Sequence, residues 1–243
     1  METKSTRQTR QKPGISISES DYAKLMKLAD SVAGSHAPLA DDLFRILPTL
    51  AHALLKRFNI ITDPTITDQE EKQLAFDGIL GAGKLALPGI RKYSAKAESL
   101  AWPIRILKSL LVEEALVSEL LKLLEKWDTE YAKFVDPKLQ LLNELEDHKD
   151  ERILEAVKPF LMDVNEPSRF HAVGGALAQD DAEAIDALVD MFCDEESLRI
   201  RNRVCEGFLA RGWVVPEARR AEMRKSLPSE YSIDGEGLIK KRG

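Results

Sequence analysis

The residues best suited to chemistry in this chain are few and dispersed. It has four histidines, His36, His52, His148 and His171. The reading places none of them with a second His, Cys or carboxylate at metal-ligand spacing on one helix face, and a zinc-type site needs several converging donors. Cys193 and Cys205 stand outside any Cys-x-x-Cys spacing, so they read as small buried apolar side chains in a reducing compartment, not as a disulfide framework or a redox pair. Gly81-Ala82-Gly83-Lys84 offers glycines and a lysine, but the longer Gly-x-x-x-x-Gly-Lys-Ser/Thr spacing and the strand that would precede it are missing. No Ser-His-Asp or Cys-His arrangement can be assembled. The expectation is a chain with no catalytic residues, no metal and no cofactor: not an enzyme.

Recognition is the remaining class. Lys84, Arg91, Lys92 and Lys96 fall on one side of a helix expected over 85–97. Trp127, Tyr131 and Phe134 sit among charges in the segment Trp127–Val135, and exposed aromatics on a loop edge are typical anchors for a partner. Arg169 and Arg201 recur in register and complete the candidate partner-binding set. The plainer alternative for the aromatics is that they fold back and fill a gap between helices. A second group, Asp63, Asp68, Asp128, Glu130, Asp136, Asp163, Glu166, Asp194, Glu195 and Glu196, falls at helix junctions. It would form a negative edge able to take a basic segment or a divalent cation. The plainer reading is that each acid caps the helix that follows and complements its dipole.

The elements that would position these residues show a fixed offset of 32 residues. Leu141, Val173 and Cys205 stand in register, as do Leu145, Leu177 and Leu209; Ile153 maps to Ile185, Val157 to Val189 and Phe160 to Phe192. Arg169 with Arg201, Gly175 with Gly207 and Ala178 with Ala210 continue the pattern. Within each unit the apolar positions lie three and four apart, which is helical spacing. A single amphipathic hairpin cannot bury its apolar stripe alone, so neighbours must stack. Upstream, offsets of about 35 and 36 residues extend the register, the surplus falling in Trp127–Val135, where a surface loop tolerates it. Pro48 is expected to kink or divide the helix around it, since a proline removes one hydrogen bond and clashes with the preceding turn. The helical glycines Gly174, Gly175 and Gly207 imply close helix approach, which offsets their low helix propensity. Tyr231–Ile239, centred on Asp234-Gly235, reads as a small β-hairpin or turn closing the end.

The outer helix, tight turn, inner helix opening with Ala86-Leu87-Pro88, the Asp just past an inner helix (Asp163, Asp194) and the outer-helix Arg (Arg105, Arg169, Arg201) resemble the HEAT-like repeats of the armadillo superfamily, including the bacterial phycobilisome-lyase type. The resemblance covers about Pro48–Ser226 and implies an all-α fold, a right-handed α-α superhelix. Around it the reading places a disordered basic tail at 1–13, N-terminal helices at 14–58, the array at 59–226, and a cap with a basic tail at 227–243. Such arrays most often serve as protein-binding scaffolds. Some relatives of that type are bilin lyases and others are alkyl-base DNA glycosylases, but fold alone does not fix activity. The expected function is therefore a non-catalytic protein–protein interaction module. The alternatives are a lyase and a nucleic-acid or ribonucleoprotein accessory factor.

Charge separates these alternatives in part. Residues 61–196 hold 15 Lys and Arg against 29 Asp and Glu, a net of −14, whereas 197–243 hold 11 against six, and 1–60 nine against six. An acidic body disfavours nucleic acid along its length, which confines a phosphate-binding role to the basic ends, above all the arginines from Arg199 to Arg224. The first residues show no hydrophobic signal-type core, and no apolar run approaches the ~20 residues that cross a bilayer. The expectation is a cytoplasmic protein that avoids membranes, is monomeric through its charged surface, and binds an unidentified protein or peptide.

Overall fold

The computed structural model describes residues 38–60 and 65–242. The expected basic tail, the helix opening at Ser18, His36 and the Asp63-Pro64 turn lie outside them. The described chain is mostly helical, with one small antiparallel sheet near its C-terminus. It forms two compact units, divided between Tyr93 and Ser94.

In the first unit, α1 (Pro38–Leu55) runs into a 3₁₀ turn, Lys56–Asn59; α2 (Thr65–Gly81) and a second 3₁₀ turn, Gly83–Ala86, lead to α3 (Leu87–Ser94). Pro48 lies inside α1 and does not divide it. A Cβ on Gly89 would overlap the Pro48 carbonyl and stand 3.0 Å from the His52 nitrogen, so α3 meets the α1 backbone where the side chain is only hydrogen. That packing supports the helix through its proline. Ala51, Leu55, Phe76, Ile79, Ile90 and Tyr93 form the core. Leu74 of α2 is 71% exposed; the helix has almost no amphipathic bias, so its sequence specifies an inward face poorly. Arg57, Asp68 and Lys72 are buried together, with Arg57 Nη2 and Lys72 Nζ each 2.7 Å from an Asp68 oxygen. Asp68 thus spends its charge internally.

The second unit contains α4 (Ala101–Leu110), α5 (Glu113–Leu124), α6 (Asp136–Leu145), α7 (Glu151–Val157, continued by a 3₁₀ turn to Met162), α8 (Glu166–Ala178), α9 (Ala184–Asp194), α10 (Leu198–Arg211) and α11 (Glu217–Ser226). α6, α8 and α10 pack side by side in that order. On the other side α5 meets α7, the turn after α7 meets α9, and α9 meets α11. Asp150 accepts from Arg152 N, Asn165 accepts from Ser168 N, and Gly212 ends α10 with φ +63°. Leu141, Val173 and Cys205 are each fully buried, as are Val157, Val189 and Phe192 to within 1%. Burying a leucine or valine contributes about 1.5–3 kcal/mol, and this repeated stripe is the main source of cohesion.

At the end, β1 (Tyr231–Ile233) pairs antiparallel with β2 (Ile239–Lys241), with Tyr231 opposite Lys241 and Ile233 opposite Ile239. Asp234 caps the turn by accepting from Glu236 N and Leu238 N. The hairpin lies on α10 and α11, and Val215 N donates to Gly237 O. No helix among the described residues is long and apolar enough to cross a membrane.

Candidate functional site

Two open clefts in the second unit share one wall, the Trp127 side chain. The segment 125–135 has no regular structure between α5 and α6. It starts where Trp127 N donates to Leu124 O and ends where Lys138 anchors it. Lys138 is only 1% exposed. Its Nζ lies 2.6 Å from Asp163 Oδ2 and donates to Asp128 O at 3.1 Å. Val164 N also donates to Thr129 O. The loop is therefore tied at Asp128 and Thr129, directly after Trp127, to Lys138 and to the α7–α8 junction.

The first cleft, about 720 Å³, lies between α5 and α7; Leu121, Trp127, Arg152, Glu155 and Phe160 are among its lining residues. Its charges are mixed and largely engaged: Arg152 grips Asp150 at 2.6 Å, and Lys122 faces Glu119. The second cleft, about 420 Å³, is lined by 94–98, Leu100, Leu123, Lys126, Trp127 and 132–134. Here Lys96, Lys126 and Lys133 are exposed and form no ion pair among the described residues, and Glu98 is the one acidic lining residue. Phe134 is 46% exposed, with Lys133 Nζ 5.1 Å from its ring centroid.

The candidate residues thus fall into three groups. Lys96, Trp127 and Phe134 come together in the second cleft, with Tyr131 85% exposed on the same loop. Lys84, Arg91 and Lys92 belong to the first unit. Arg169 and Arg201 lie on the seam of α6, α8 and α10, and Arg169 is engaged within the chain. Arg169 holds Glu195 through two nitrogens, at 2.7 and 3.0 Å, and donates to Asp163 O. This hydrogen bonding raises the Arg169 pKa, and although burial opposes ionisation of Glu195, Arg169 keeps its pKa below the usual value. Asp163 and Glu195, 32 residues apart, do the same work: each accepts a backbone N–H two residues on, from Asn165 and Ser197, and each binds a cation of the preceding outer helix. The counterpart of Asp163 is thus Glu195, not the exposed Asp194. The third cation in this series, Arg201, has its Nε buried without a hydrogen-bond acceptor among the described residues. The position one register beyond Glu195 is Leu227.

Several important residues carried no sequence signal. Glu146, at the end of α6, receives His171 Nδ1 at 2.6 Å and the Arg203 guanidinium, which also donates to Phe170 O. Burial opposes its ionisation, but His171 and Arg203 outweigh this and lower its pKa. The pair passes over Gly174, where a Cβ would overlap both the Arg203 nitrogen and the Glu146 carboxylate. Arg199 and Arg203 each lie about 4 Å from the Phe170 ring centroid (4.0 and 4.1 Å). His148 also has acidic partners, one of them four residues away, where the sequence reading places no carboxylate at metal-ligand spacing. Its Nδ1 meets Glu113 and its Nε2 lies 3.2 Å from Glu144, which Lys108 binds at 2.6 Å. The Glu144/His148 spacing of one helical turn was the available clue.

The arginine-rich end is mostly committed as well. Arg199 binds Glu166, Arg211 donates to Leu177 O, Arg219 binds Asp190 and Glu222, Arg220 donates to Val215 O and Glu236 O, and Arg224 donates to Asp234 O. Of the thiols, Cys205 is fully buried and burial pushes its pKa up to about 12; burial also raises that of Cys193. Both stay protonated at neutral pH, which leaves little thiolate to act as a nucleophile. Comparison with protein-family models, with curated proteins and with solved structures gives no match.

Proposed function

We propose that this protein is a non-catalytic interaction module of the HEAT-like type, and that its second unit binds a partner protein through the loop that carries Trp127, Tyr131 and Phe134. The observation that carries this reading is the shared wall: Trp127 lines both clefts, and the residue after it, Asp128, is held by the lysine of a buried ion pair. A rigid aromatic between open clefts loses little conformational entropy on binding, which suits it as an anchor. The two parallel series of helices, α6–α8–α10 and α7–α9–α11, with their register of 32 residues, support a superhelical array. The reading of a nucleic-acid accessory through the basic end is weakened by the internal acceptors that engage most of those arginines.

The test is affinity purification of the full-length protein from its native cell, comparing the unaltered chain with Trp127→Ala and with Tyr131→Ala/Phe134→Ala. The expected outcome is loss of the same partner from both variants while circular dichroism stays unchanged. A partner set indifferent to both would overturn the assignment of the loop.

A further inference from the structure

Resting on that reading, we propose that the cleft formed by 94–98, Lys126, Trp127 and 132–134 receives an acidic segment of the partner. One apolar side chain of the segment would insert between Trp127 and Phe134, and its carboxylates would meet Lys96, Lys126 and Lys133.

Charge complementarity selects this occupant. Most cations of the second unit already have an anion or a carbonyl: Lys138 has Asp163, Arg152 has Asp150, Arg169 has Glu195 and Arg203 has Glu146. The three cleft lysines have none among the described residues, and they converge on a concavity with one acid, Glu98, in its lining. Exposed lysines in a cleft steer an anionic ligand and fix its register. The cleft is also not purely polar. Leu100, Leu123, Trp127 and Phe134 line it, so the charged rim surrounds an apolar floor, as at a hot spot. The neighbouring α5–α7 cleft cannot make the same selection, because Glu125, Asp128 and Glu155 line it beside Lys122 and Arg152.

Lysines beside aromatics also suit single-stranded nucleic acid. The whole unit decides between the two. Residues 94–243 hold 22 Lys and Arg against 30 Asp and Glu, a net of −8. A polyphosphate carries a charge at every nucleotide and meets that repulsion beyond the cleft. A short peptide can confine its carboxylates to the three lysines.

Fluorescence anisotropy of the full-length chain tests this with four labelled probes: a ten-residue Glu/Asp-rich peptide with a central Phe, the same peptide with the Phe replaced by Ser, its Lys-rich counterpart, and a ten-residue oligothymidylate. The acidic Phe peptide should bind tightest. Its affinity should fall as NaCl is raised, and Phe→Ser in the probe should weaken it by about tenfold or more. Lys96→Glu/Lys126→Glu/Lys133→Glu should abolish its binding, with the corresponding Lys→Gln triple intermediate; these positions are exposed, so a retained thermal transition verifies folding. The inference is overturned if the Lys-rich peptide or the oligothymidylate binds more tightly, or if the lysine variants bind the acidic peptide unchanged. Binding of the Lys-rich peptide that Trp127→Ala removes would leave the interaction reading standing and remove only the acidic partner. If no peptide responds to Trp127→Ala, both fall.

Discussion

Along the seam of α6, α8 and α10, cations on these helices find anions within the chain: Lys138 with Asp163, Arg169 with Glu195, and Arg203 with Glu146, which lies 57 residues before it. Around Trp127 in the same unit, three lysines have no such partner among the described residues. The residue types are alike in both places, but their surroundings differ. The seam charges are buried or half-buried and hydrogen-bonded, so their cost of desolvation is offset within the chain. The cleft charges stay hydrated and cost little until a ligand displaces their water. The comparison teaches that residue type alone does not separate the two places; whether the acceptors lie in the same chain does.

Substitutions can break this contrast, beginning on the seam. Asp163→Ala strands a Lys138 that is 1% exposed, and the expected loss is about 3–5 kcal/mol in urea unfolding. Lys138→Met/Asp163→Leu should recover most of it, because an apolar pair removes both charges. Arg169→Met should cost about 1.5–3 kcal/mol, since it leaves buried Glu195 without its guanidinium. Arg201→Met should cost much less, as its Nε has no acceptor to lose. Gly207→Ala places a Cβ 2.5 Å from the Leu177 methyls, an overpacking of about 1–3 kcal/mol. These substitutions share one assay, and equal costs for Arg169 and Arg201 would remove the distinction between an engaged and an unengaged position.

A pH series sharpens the comparison further. Glu146 and Glu195 both have folded pKa values below the ordinary 4.5. Their contribution is fully present above the unfolded value and is lost as pH falls through the folded one. The stability difference between the unaltered chain and Glu146→Gln should therefore be constant from about pH 7 down to about pH 5, and shrink below that. The cleft should give the smallest effect. Tyr131→Ser/Phe134→Ser should move stability by no more than about 0.5 kcal/mol per site, while partner binding is lost.

Most of the helical architecture was legible because apolar spacing records it. Leu141, Val173 and Cys205 were assigned to one stripe and are all fully buried. Leu209 shares a register with Leu145 and Leu177, yet it is 39% exposed. α10 is the last helix of the series α6, α8, α10. Part of the cleft was readable, since an aromatic-rich insertion interrupts the register at Trp127. Lys126 and Lys133 were not, because a lysine beside a loop looks the same whether or not it faces a concavity. Lys138 carries no local signal either: nothing distinguishes a buried lysine when its acid lies 25 residues away. Glu146 has no equivalent in the repeat, since the position 32 residues on is Ala178.

Glu146 has a consequence for how this stack comes apart. In a one-dimensional array each unit usually touches only its neighbours, so an end can peel away one unit at a time. Glu146 on α6 holds His171 of the adjacent α8 and, reaching past it, Arg203 of α10, which is 57 residues distant. That is a next-nearest-neighbour coupling. Fraying of α10 breaks a bond belonging to α6, and α8 loses its restraint at the same time. The three helices therefore unzip as one block, and their slowest amides should exchange with a common protection factor instead of declining helix by helix toward the C-terminus.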